Sequence, residues 1–204
     1  MQSPTVTVDA VGRAGAVPDV AIVEAYVTGP GDTARDARAV VEDRAATLQE
    51  SITTVAPEQV TTVEMQVQDT TDAFDPDTDA PFEATERFQI ECAPDRAESV
   101  VLDVASGGGQ VQTVQFQLRE ATRRSLQADA LETAMDHARE KAERIAAAEG
   151  LTVTAMDEAT TKDVSSGFES IVDEALASTP DTDVHPAPVT VAERVEVVYD
   201  CTER

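Results

Sequence analysis

The chain has 204 residues, with 40 acidic against 15 basic side chains, a formal net charge of -25, and only 3% aromatic residues with no tryptophan. That length suits one generous domain; its core must be built from valine, alanine, leucine and isoleucine. The charge argues against nucleic acid, whose backbone needs a basic, phosphate-neutralising patch. The nearest candidate, Arg119 with Arg123 and Arg124, is small and surrounded by acids.

Acids run through the whole chain instead of collecting in a tail, and only Lys141 and Lys162 are lysines. Such a surface keeps a protein soluble where salt screens its self-repulsion, so the chain reads as adapted to high salt. No apolar run approaches the roughly 18 residues of a membrane helix. The start, "MQSPTVTVDAVGRAG", has neither a basic leader nor an apolar signal core, and a cytoplasmic location is expected.

In chain order, Thr5 to Val11 alternates and predicts a strand, with "GRAG" (Gly12 to Gly15) read as a turn. Val20 to Thr28 predicts a second strand, with Ala21, Val23, Ala25 and Val27 on one face. "GPGD" turns the chain, and Asp32 is the expected cap of a helix reaching Ile52. Ala37, Val41, Ala45 and Leu48 recur on that helix at core spacing. Val60 to Gln68 alternates again, with Val63, Met65 and Val67 expected inward. "FEATERFQIEC" follows the loop "DTTDAFDPDTDAP", with Phe82, Ala84, Phe88, Ile90 and Cys92 in phase.

A compact helix after Pro94 is expected to be capped by Asp95 with Glu98 three residues on, and to end at Gly107 to Gly109. A strand with Val114, Phe116 and Leu118 inward precedes a long helix, expected from about Leu126 to Glu149. On its wheel Leu131, Ala134, Met135, Ala138, Ala142, Ile145 and Ala146 share one face; His137 lies off it, and Glu140 pairs with Arg144. "LTVTAMDEATT" and "VTVAERVEVVYDC" predict the last two strands, around an acidic loop at 164–188. The pattern predicts an α+β fold: a mixed, largely antiparallel sheet with helices on one face, and a strand-helix-strand order that occurs twice, as in an internal duplication.

Several of these segments resemble the SIMPL-domain family, also known as domain of unknown function 541. "PDVAIVEAYVTG" is similar to the family's Pro-Asp-x-Ala strand start, at Pro18, Asp19 and Ala21. "VLDVASGGGQVQTVQFQL" looks like its helix, glycine turn and Phe-containing strand. "ALETAMDHAREKAERIAAAEGLTV" resembles its alanine-rich helix with Ala-Arg-x-Lys-Ala-Glu and a glycine exit. The stretch "PAPVTVAE" lacks the glycine that relatives often carry before the last strand. The resemblance covers nearly the whole chain and implies one α+β domain that oligomerises, in a stress or signalling role, with no catalytic residues or cofactor to carry over.

Chemistry-bearing clusters are sparse. In "DPDTDAPFEATE", acids at Asp75, Asp77, Asp79, Glu83 and Glu86 match the ligand spacing of a calcium loop, but its glycine position holds Ala80. The alternative to a cation or small-ligand module is a solvated hairpin loop. Neither His137 nor His185 has a partner at metal or triad spacing, so no enzyme is expected. Cys92 and Cys201 each end a strand in apolar phase and read as buried free thiols, bonded only if those strands are neighbours. Phe168, Ile171, Val172 and Leu176 form a stripe that serves a protein partner or docks on its own domain. The expected protein is a non-enzymatic homo-oligomer.

Overall fold

A computed structural model describes residues 4–70, 80–162 and 186–203. The elements are β1 (Thr5–Ala16), β2 (Val20–Gly31), α1 (Ala34–Ser51), β3 (Val60–Asp69), β4 (Phe82–Cys92), α2 (Ala97–Ser106), β5 (Gln110–Gln117), α3 (Glu120–Ala148), β6 (Leu151–Lys162) and β7 (Val189–Glu203). They gather into two compact units: Pro18–Gln117, and Met1–Val17 with Leu118–Arg204. The chain is α+β with antiparallel sheets, as its alternating strands and helical stripes predict.

In Pro18–Gln117 the two strand-helix-strand stretches combine into one sheet, ordered β3-β4-β2-β5, with every pair antiparallel. This is the order of a split β-α-β sheet. Alternation in the central strands turns Ala21, Val23, Ala25 and Val27 of β2 and Ala84, Phe88, Ile90 and Cys92 of β4 toward the helices. Against them α1 sets Ala37, Val41, Ala45 and Leu48, and α2 sets Ala97, Val100 and Val104.

Two helix starts differ from expectation. The cap of α1 is Thr33, whose hydroxyl accepts the Asp36 N–H at 3.2 Å, and not Asp32. The strand β2 continues through Pro30 to Gly31, so Thr33 is the extended residue from which a side chain reaches the first helical turn. At α2, Asp95 is absorbed into a 3-10 turn, Pro94–Arg96, and the helix begins without a side-chain cap.

The exits of the two helices are tied together. Oδ2 of Asp103 accepts the N–H of Thr53 at 2.9 Å, the N–H of Thr54 at 3.0 Å and the hydroxyl of Thr54 at 2.8 Å. The Ser51 hydroxyl donates to the carbonyl oxygens of Leu48 and Asp103. Gly108, at φ 78°, supplies the left-handed turn into β5.

The expectation for β3 fails. Val63, Met65 and Val67 are exposed, at 54%, 40% and 39%. Met65 and Val67 pair with Glu86 and Ala84 and so lie on the helix side of the sheet. As the edge strand, however, β3 is covered among the described residues only near its start, where Val60 packs on the core.

In the other unit β1, β7 and β6 form an antiparallel sheet in the order β1-β7-β6, and α3 packs on it. The strand β1 does not stop at Gly12; it runs to Ala16, paired throughout with β7, and "GRAG" is strand rather than turn. The reason lies in α3. Ala130, Ala134, Ala138, Ala142 and Ala146 are buried at four-residue spacing, a row of small side chains that lets the helix approach closely. A Cβ on Gly12 would lie 1.9 Å from the Ala130 carbonyl oxygen and 2.5 Å from the Ala134 nitrogen.

The wheel holds for Leu131 and Met135, half-buried and packed against this core, and fails for Ile145, which is 42% exposed. The helix starts earlier than expected, at Glu120, where Arg124 pairs with Glu120 across one turn at 2.8 Å.

Candidate functional site

The long helix α3 carries the cluster with the most chemistry: His137, Glu140, Lys141, Arg144 and Ile145 line an open depression. His137 and Lys141 are four residues apart and therefore project from one side of the helix. Nδ1 of His137 donates to the Val11 carbonyl at 3.2 Å, and Nζ of Lys141 donates to the Asp9 carbonyl at 3.0 Å. Among the described residues strand β1 pairs with β7 alone, which leaves alternate carbonyls along it without a ladder partner there. Two side chains of the helix occupy two of them, which blunts that edge.

The same place holds an ion-pair cluster invisible to spacing. Arg194 of β7 binds Oδ1 of Asp9, and Lys141 lies 3.7 Å from Oδ2. The hydrogen bond and charge of Arg194, then the charge of Lys141, hold the Asp9 carboxyl below its ordinary value. Glu140 and Arg144 pair at 3.4 Å, as their spacing predicts. This arrangement positions a strand edge. Its histidine is spent on a backbone carbonyl.

Of the calcium candidates, Asp75, Asp77 and Asp79 lie outside the described residues. Glu86 sits within β4, 7% exposed and opposite Val27, and its Oε1 accepts the Thr62 hydroxyl at 3.1 Å. Among the described residues no group of three or more His, Cys, Asp or Glu side chains is placed to hold a metal ion. Phe168, Ile171, Val172, Leu176 and His185 also fall outside the described residues.

Cys92 and Cys201 are buried free thiols in strands of different sheets. Burial, then the charges of Asp95 and Glu91, pushes the Cys92 thiol up, away from the reactive thiolate. No helix among the described residues is long and apolar enough to cross a membrane.

Asp103 gives a testable pH dependence. Burial opposes its ionisation, but the hydrogen bonds from Thr54 and Thr53 outweigh that and lower its pKa from the ordinary 3.8. Between the lowered native value and 3.8 the unfolded chain binds more protons, so this contribution to stability rises with pH. It is fully present above the unfolded value and lost as pH falls through the native one. Urea midpoints measured from pH 6 down to about pH 3 should fall less steeply in Asp103→Asn than in the parent. Equal slopes would show that the clamp contributes nothing pH-dependent. Asp9 remains in both proteins, so its similar contribution cancels in the comparison.

One family model reaches across the elements of both units. The model for SIMPL, a protein of unknown function (DUF541), covers residues 6–199. The chain belongs to the SIMPL family. No curated protein matches it. In SIMPL terms, "AREKAERIAAAEG" is the stretch whose alanines seat α3 on its sheet and whose Lys141 reaches β1. The exposed side of β3 had no signal in sequence, because an edge strand and a central one share the same alternation.

Proposed function

We propose that this SIMPL-domain chain is a non-catalytic assembly protein, working as an oligomer in a salt-rich cytoplasm in a stress or signalling role. The observation that carries the reading is the run of exposed apolar side chains on β3, Val63, Met65 and Val67, in a chain of net charge -25. Apolar side chains grouped on a charged surface mark interaction sites. The non-catalytic part is supported by where reactive groups are used: His137 and Lys141 on β1, Asp103 on the exit of α1, Cys92 and Cys201 in the core.

The salt part follows from Coulomb repulsion. Copies of so acidic a chain repel each other until salt shortens the screening length, from about 10 Å at 0.1 M to about 3 Å at 1 M. Light scattering after size exclusion tests the reading. In molar potassium chloride the mass should be a multiple of the chain's, falling toward a single chain in dilute salt. A single chain at every salt concentration would overturn it.

A further inference from the structure

We propose that the edge of β3 left unpaired among the described residues is the assembly contact, and that its occupant is the same edge of a second copy, paired antiparallel about a two-fold axis at Gln66. The inference rests on the assembly reading above and assigns it a surface.

Three observations carry it. First, β3 ends its sheet: among the described residues it pairs with β4 alone. An unpaired edge offers a row of N–H and C=O groups to another strand unless something blocks it. The contrast with β1 is direct. There His137 and Lys141 occupy edge carbonyls, whereas β3 carries no lysine, arginine or proline, and its one bulge lies at Thr62/Glu64. From Glu64 to Asp69 the strand is regular and exposed throughout.

Second, charge does not oppose a copy at this place. In a molecule with 40 acids, β3 has only Glu64 and Asp69, and Glu64 is already paired with Arg87 at 2.6 Å. Antiparallel pairing centred on Gln66 sets Glu64 opposite Gln68 of the copy, so acid does not face acid. Like charges directly opposite in a sheet destabilise it.

Third, the same register sets each Met65 opposite Val67 of the copy. Both lie on the helix side of their sheet, at 40% and 39% exposure. The pairing would cover two apolar side chains per chain and join two four-stranded sheets edge to edge.

The experiment uses the full chain in molar potassium chloride. Met65→Lys with Val67→Lys changes only exposed side chains; circular dichroism checks that the fold is kept. The variant should run at a single chain's mass where the parent runs at twice that mass. Independently, Gln66→Cys should form a covalent dimer on mild oxidation. Residues directly opposite in antiparallel strands lie about 4.5–5.5 Å apart at Cα, within disulfide reach of about 4.4–6.8 Å. Ala39→Cys, exposed on α1, should not, and the native cysteines are buried.

A parent that is a single chain overturns both this inference and the assembly reading. A parent oligomer that survives the lysines, with no cross-link at position 66, overturns the β3 contact and leaves the assembly reading standing. A ladder of sizes abolished by the lysines overturns the two-fold pairing in favour of head-to-tail addition. Should the lysine variant misfold, the cross-link decides alone.

Discussion

Gly12→Val is expected to destabilise the β1–β7–β6 unit by about 3 kcal/mol or more, at the upper end for overpacking a core. The magnitude follows from what the new side chain meets. Its Cβ would lie 1.9 Å from the Ala130 carbonyl oxygen and 2.5 Å from the Ala134 nitrogen, which are helix backbone and cannot swing aside. Relief requires α3 to lift from β1, which opens the packing of Ala134 and Ala138 on Val8, Val195 and Val197. Gly15→Ala is the matched control: its nearest neighbour is the Val189 carbonyl oxygen at 3.3 Å, a contact that a small shift relieves. Urea titration in molar salt, with hydrogen exchange of the α3 amides, measures both. Equal midpoints for Gly12→Val and the parent would mean that the close approach is not a constraint.

Phe88→Ala should cost the Pro18–Gln117 unit about 3–5 kcal/mol, the range for truncating a buried aromatic. Phe88 is 1% exposed and is the largest fully buried side chain among the described residues. It stands in β4 opposite Ala25 of β2 and Thr62 of β3, among neighbours too small to fill the space it leaves. Phe88→Leu should recover much of the loss by retaining volume. Midpoints of denaturant unfolding for the three proteins, compared at constant m-value, check the order parent, leucine, alanine. A loss under about 1 kcal/mol for the alanine variant would show that the site collapses around the deletion.

How far these effects were legible beforehand varies with the physics behind each element. Val195, Val197, Tyr199 and Cys201 alternate in sequence and are buried in β7 as that period demands. The buried row Ala134, Ala138, Ala142 and Ala146 also follows from periodicity, since one helix face records its own burial. Met65 and Val67 show the limit. They alternate as well as any core strand, but whether a helix extends over the sheet edge is a tertiary fact. Gly12 failed differently: a glycine read as a breaker was there for the approach of a helix more than a hundred residues later in the chain. The partners of His137 and Lys141 were hidden for a similar reason, because Val11 and Asp9 contribute carbonyls, and a carbonyl carries no sequence signature.

The alanine row on α3 bears on heat as well as on distance. Each alanine buried there removes less hydrocarbon from water than a leucine in the same place, and Val8, Val195 and Val197 opposite it are themselves short. The heat capacity of unfolding tracks apolar surface exposed, so this unit gains less of it per residue than a leucine-rich bundle would. A small increment flattens the curve of stability against temperature. A flatter stability curve around α3, with gentler loss at both the cold and the warm end, is the expected result.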